Sequence, residues 1–67
     1  MTKTEELILE KIIDYINDNE YPPTVRELCS MMGVNSPATI QYHLKNMKNK
    51  GIIDCKEKAS RTIKILI

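Results

Sequence analysis

The sequence predicts a mainly α-helical domain of three helices closed by a small β-hairpin, on three observations. Apolar residues recur at three- and four-residue spacings in three separate segments. Proline, glycine and capping residues divide those segments. The last quarter of the chain then changes to short β-branched runs.

The first helix is expected over residues 4–19. Leu7, Ile8, Ile12, Ile13, Tyr15 and Ile16 form one broad apolar face. Thr2 with Glu5 has capping-box spacing, and Thr4 is an alternative cap. Tyr21-Pro22-Pro23 stops the helix, because proline has no amide donor and restricts the residue before it. A short second helix begins after Thr24, where Thr24-Val25-Arg26-Glu27 is a second capping-box pattern. Val25, Leu28, Cys29 and Met32 supply its inner face, and Gly33 sits where a left-handed residue closes a helix.

Ser36 and Pro37 start the third helix as N-cap and first helical residue. Ile40, Leu44 and Met47 face the core, and Gly51 ends the helix. Residues 52–55 and 62–67 read as two strands around a polar connection. Helix, helix, tight turn, helix, hairpin is the order of a three-helix winged helix-turn-helix.

Sixty-seven residues make one domain, residues 1–67, too small to hold both a packed core and a deep catalytic cleft. No nucleophile–base pair or phosphate-cradling loop appears, so an enzyme is not expected. Cys29, Cys55 and His43 fall short of a zinc ligand set, and no metal, cofactor or small-molecule ligand is expected. Spacing permits a disulfide between the cysteines, but free thiols packed as small hydrophobes fit better. No membrane span is present, and the acidic N-terminal segment is unlike a secretory signal, which points to the cytoplasm.

Charge is divided along the chain. Residues 1–20 carry two lysines against six carboxylates, −4, whereas residues 21–67 carry eight basic against three acidic side chains, +5. Such asymmetry suits either a polyanion-binding face or two ordinary solvated faces. The third helix favours the former. With Ile40, Leu44 and Met47 inward, the helical period places Ala38, Tyr42, Lys45 and Asn49 opposite, with Thr39 and Gln41 on the flanks. Glutamine pairs bidentately with adenine, and threonine reaches a base edge or a thymine methyl. Ser36 and the free amides at the helix start suit a phosphate. Lys48 and Lys50 either meet phosphate or complement the helix dipole. Met31, Met32 and Met47 are expected as core filler, and His43 as a partly buried structural residue.

Tyr21-Pro22-Pro23-Thr24-Val25-Arg26-Glu27-Leu28 resembles the PPT-x-x-E-[IL] entry of LexA-family repressors. Gly33-Val34-Asn35-Ser36-Pro37, His43-Leu44, Lys50-Gly51-Ile52-Ile53 and Ser60-Arg61-Thr62-Ile63 resemble further motifs of that family, in register over residues 21–66. The resemblance implies a sequence-specific double-stranded-DNA-binding repressor of the SOS type, occupying an operator as a homodimer. Base reading is implied for positions matching Ser36, Ala38, Thr39, Gln41 and Tyr42, and a wing near the phosphates for residues 56–61. Backbone contacts are expected from Thr24, Arg26, Lys45, Lys48, Lys50, Lys56, Lys58 and Arg61, with anchoring of the wing an equal role for Arg61. Ala38 has no side-chain hydrogen bond to offer, and Tyr42 replaces an acidic residue of some relatives, which points to a different operator. The family's self-cleaving serine–lysine domain is not expected within these residues. The alternative is a winged-helix protein-interaction module that does not read DNA.

Overall fold

A computed structural model describes residues 1–56 and 61–67, so Lys58 and the expected tip of the hairpin lie outside the described residues. The elements are α1 (Lys3–Asn19), α2 (Val25–Met32), α3 (Pro37–Asn49), β1 (Ile53–Asp54) and β2 (Lys64–Ile65). Helix α1 packs against both other helices, and β1 joins α3 to β2. The core is Ile8 and Ile12 of α1, Leu28 and Cys29 of α2, and Ile40, Leu44 and Met47 of α3, closed by Ile52, Ile53 and Ile63.

The expected apolar face of α1 needs correction. Ile8 and Ile12 are buried, but Leu7 and Ile13 are 43% and 40% exposed. The buried stripe runs through residues 5, 8 and 12, and the helical period carries residues 7 and 13 well to either side of it. An acidic residue completes the stripe: Glu5 is only 2% exposed. Thr2 caps this helix, its hydroxyl accepting from the Glu5 amide at 3.1 Å while its own amide donates to Glu5 Oε1 at 2.8 Å. Glu20 closes α1 in the left-handed region, φ 65°, where a side chain costs roughly 1 kcal/mol.

The capping box of α2 forms as the sequence implies. Its end and the end of α3 share one geometry. Gly33, φ 69°, donates to Ser30 and Val34 donates to Cys29; Gly51, φ 74°, donates to Lys48 and Ile52 donates to Met47. These paired bonds satisfy carbonyls that the helix leaves open. A Cβ at either glycine would meet nothing within 4 Å, so the requirement is the backbone angle and not space. Ser36 stands at the N-cap of α3, but its hydroxyl makes no capping bond; Pro37 at the first turn fixes the start.

Strands β1 and β2 pair antiparallel, Ile53 opposite Ile65 and Asp54 opposite Lys64. Each holds two residues, shorter than the runs expected. The register continues nonetheless. Leu66 donates to Ile52 O at 3.0 Å, and Thr62 replaces a ladder bond with its hydroxyl, which accepts from the Lys56 amide at 3.0 Å and donates to the Lys56 carbonyl at 3.4 Å. Both cysteines are free, Cys29 buried and Cys55 half-buried.

Candidate nucleic-acid interface

The inward stripe of α3 fixes its outer face. Ile40, Leu44 and Met47 are buried, which leaves Ala38, Thr39, Gln41, Tyr42, Lys45 and Asn49 exposed. Tyr42 is 63% exposed, with its ring edge-on to the half-buried His43 at 5.4 Å. Met47 is fully buried, and Met31 and Met32 pack against the core.

A groove of about 680 Å³ separates the start of α2, the middle of α3 and the hairpin. Thr24, Arg26, Gln41, Lys45, Lys48, Lys56 and Arg61 line it, over a floor formed in part by Leu44 and Ile63. Five cations meet there, and among the described residues no carboxylate lines it. Low-dielectric walls of one sign focus field lines and attract a polyanion. The acidic residues Glu6, Glu10 and Asp14 instead border a separate shallow depression on α1 with Met1, Leu9 and Ile13.

The groove therefore gathers six of the eight residues expected at phosphates, together with Gln41. Ser36, Ala38, Thr39 and Tyr42 stand outside it, exposed at the N-terminal half of α3. Lys50 is elsewhere: its ammonium donates to both oxygens of Glu5, at 2.8 and 3.1 Å. That pairing, the largest cause, and the Thr2 amide hold the Glu5 carboxyl down to about 2. Expectation gave Lys50 a phosphate or a helix dipole; what the structure gives it is a buried carboxylate, the only one among the described residues, which needs a cation. Lys48 donates to the Cys55 carbonyl at 2.7 Å and lies 3.9 Å from Asp54. The side chains of Arg26, Lys45 and Lys56 have no ionic partner among the described residues.

Arg61 is committed more deeply. Its guanidinium donates to Glu27, to the Tyr15 hydroxyl at 3.1 Å and to the Pro22 carbonyl at 3.2 Å, and stacks 4.6 Å from the centre of the Tyr21 ring. Tyr15 and Tyr21 in turn meet edge to face at 5.8 Å. The Thr24 amide, the Tyr15 hydroxyl and Arg61 keep the Glu27 carboxyl at about 2. Sequence reading found Glu27 as a cap but missed this second duty. It also missed Cys55 and Thr62 as groove-lining residues, since only the hairpin register brings them beside α3.

Two helices joined through a four-residue glycine turn, with a hairpin folded beside them, define a winged helix-turn-helix module. The match to known sequences is specific: a LexA DNA-binding domain model covers residues 1–62, and the chain belongs to that family. A LexA repressor of Desulfatibacillum aliphaticivorans is 44% identical over 66 residues, 98% of this chain and 32% of that protein. A LexA repressor of Carboxydothermus hydrogenoformans is 36% identical over the same coverage of each chain. A transcription regulator LexA of Synechocystis is 30% identical, again over 98% of this chain and 32% of the relative. The chain thus spans about a third of the length of these relatives.

Proposed function

We propose that this chain reads double-stranded DNA for a transcriptional repressor of the LexA type, acting in the cytoplasm. Helix α3 lies in the major groove, about 12 Å wide and able to admit a helix, and the hairpin follows the phosphate backbone. Base edges are read by Ser36, Ala38, Thr39, Gln41 and Tyr42. Ala38 contributes by apolar contact with a thymine methyl, and Gln41 by a bidentate bond to adenine. Thr24, Arg26, Lys45 and Lys56 hold the backbone in register, while Lys48, bonded to the Cys55 carbonyl, steadies the hairpin beside them. A homodimer places two such modules on half-sites one helical turn, or a multiple of it, apart.

The observation that carries this reading is the groove lined by five cations beside the exposed polar face of α3. Phosphate contacts position a protein, and base contacts specify its site. Here the exposed face of α3 adjoins a groove whose cations come from the start of α2, from α3 and from the hairpin. Selection from a random duplex pool tests the proposal. The chain is expected to enrich one half-site, and Gln41→Ala and Tyr42→Ala to change the preferred bases without changing the phosphate footprint. No enrichment above background, or identical preferences in both variants, overturns it.

A further inference from the structure

We infer that Arg61 is a positioning residue: through Glu27 it ties the return of the hairpin to the start of α2 and so sets the separation of the groove walls. The DNA-dependent part of this inference rests on the function proposed above.

The walls belong to distant parts of the chain. Thr24 and Arg26 stand on one, Lys56 and Thr62 on the other. Arg61 and Glu27, 34 residues apart, join them side chain to side chain. Glu27 serves several partners at once. Its Oε1 accepts the Thr24 amide at 2.8 Å and lies 2.9 Å from Arg61 Nη1; its Oε2 accepts the Tyr15 hydroxyl at 2.8 Å and Arg61 Nη2 at 3.1 Å. Three hydrogen bonds and one close ionic contact thus converge on a single carboxylate. One side chain therefore both starts α2 and seats the hairpin.

The backbone of Arg61 points the same way. Its φ is 55°, a left-handed conformation that a non-glycine residue keeps only where its surroundings hold it. The contacts to Glu27, Tyr15, Pro22 and Tyr21 are those surroundings. Three of its five N–H groups are already committed within the protein, although the side chain lines the groove. On the opposite wall, the bond between the Lys56 amide and Thr62 Oγ1 passes the placement of residues 61 and 62 on to Lys56.

Glu27→Gln gives the two roles opposite signs. Glutamine preserves the capping geometry and removes one negative charge. If Arg61 touched phosphate directly, the substitution would free it and DNA binding would strengthen. A positioning Arg61 predicts weaker binding instead, by roughly tenfold at about 0.1 M KCl, the value of one lost phosphate contact. Anisotropy titrations would use a labelled duplex recovered from the random pool, at a temperature where circular dichroism shows each variant folded. Arg61→Ala should then lower the salt slope by about 0.9 although Arg61 itself meets no phosphate, because Lys56 loses its place, and adding Lys56→Ala to it should lower the slope no further. Stronger binding by Glu27→Gln, or weaker binding with an unchanged salt slope in Arg61→Ala, overturns the inference. If the pool yields no duplex, the DNA reading fails and a second measurement decides the positioning. The {¹H}–¹⁵N NOE of the Lys56 and Thr62 amides should fall in Glu27→Gln and in Tyr15→Phe. Values equal to the parent's in both variants overturn the positioning role without reference to DNA.

Discussion

Salt is the most direct probe of which lysines touch DNA. Arg26, Lys45 and Lys56 line the groove and have no ionic partner among the described residues, whereas Lys50 is paired with buried Glu5 outside it. If the three unpaired cations each neutralise one phosphate, log K should fall against log salt with a slope of about −2.7. Raising KCl from about 50 to about 200 mM should then weaken binding roughly 40-fold. Lys45→Ala removes one contact, so its slope should be about −1.8 and its loss over the same range roughly tenfold. Lys50→Ala should keep the parent slope and unfold more readily, since it leaves a buried carboxylate without its cation. Anisotropy with the pool-selected duplex gives the slopes, and urea unfolding gives the stabilities. A Lys45→Ala slope equal to the parent's, or a Lys50→Ala slope lowered to the same degree, would refute this division of the lysines.

Two further outcomes concern stability. Glu5 and Glu27 have carboxyls drawn from 4.5 to about 2, chiefly by Lys50 and by the Thr24 amide respectively. Both are depressed, so their contribution is complete above about pH 4.5 and is lost as pH falls toward about 2, where unfolding takes up about two protons. Thermal melts across that window should show the loss, and Glu5→Gln with Glu27→Gln should flatten it; an acid limb identical in the double variant assigns it to other groups. Glu20→Gly should raise stability by about 0.5–1 kcal/mol, by relieving a left-handed side chain and removing an anion from the end of α1. Gly33→Ala, at nearly the same φ, should lower it by roughly 1 kcal/mol. Urea titrations measure both, and equal signs would show that backbone angle is not the controlling term.

Much of the fold was legible because its signals are local. Thr24 and Glu27 can form a capping box from four consecutive residues, and Gly33 and Gly51 end helices through bonds to carbonyls a few positions back. The core stripe of α3 followed from period alone, and with it the exposure of Tyr42 and Lys45. Period failed on α1, where more apolar residues were available than one stripe can bury. Leu7 and Ile13 were left outside while Glu5 went in, because Lys50 waits beside it. No local pattern announces such a partner. The same limit applies to Arg61. Its family motif suggested the wing, but the choice between phosphate and Glu27 depends on a contact across 34 residues. The short strands had a similar cause: Thr62 replaces backbone pairing with a hydroxyl, which β-propensity does not encode.

The Glu5–Lys50 pair has a consequence for how the chain comes to be folded. Its partners stand 45 residues apart, the first in the opening turn of α1 and the second at the close of α3. A nascent chain emerges at roughly 5–20 residues per second, so α1 exists for some seconds before its inward carboxylate has a cation. In that interval the stripe that will become the core carries a hydrated negative charge, and burying it would leave the charge unpaired. Premature collapse of α1 onto α2 is thereby discouraged until α3 is complete. An acidic residue placed in the apolar stripe thus ties the cost of docking the first helix to the presence of the last turn of the third.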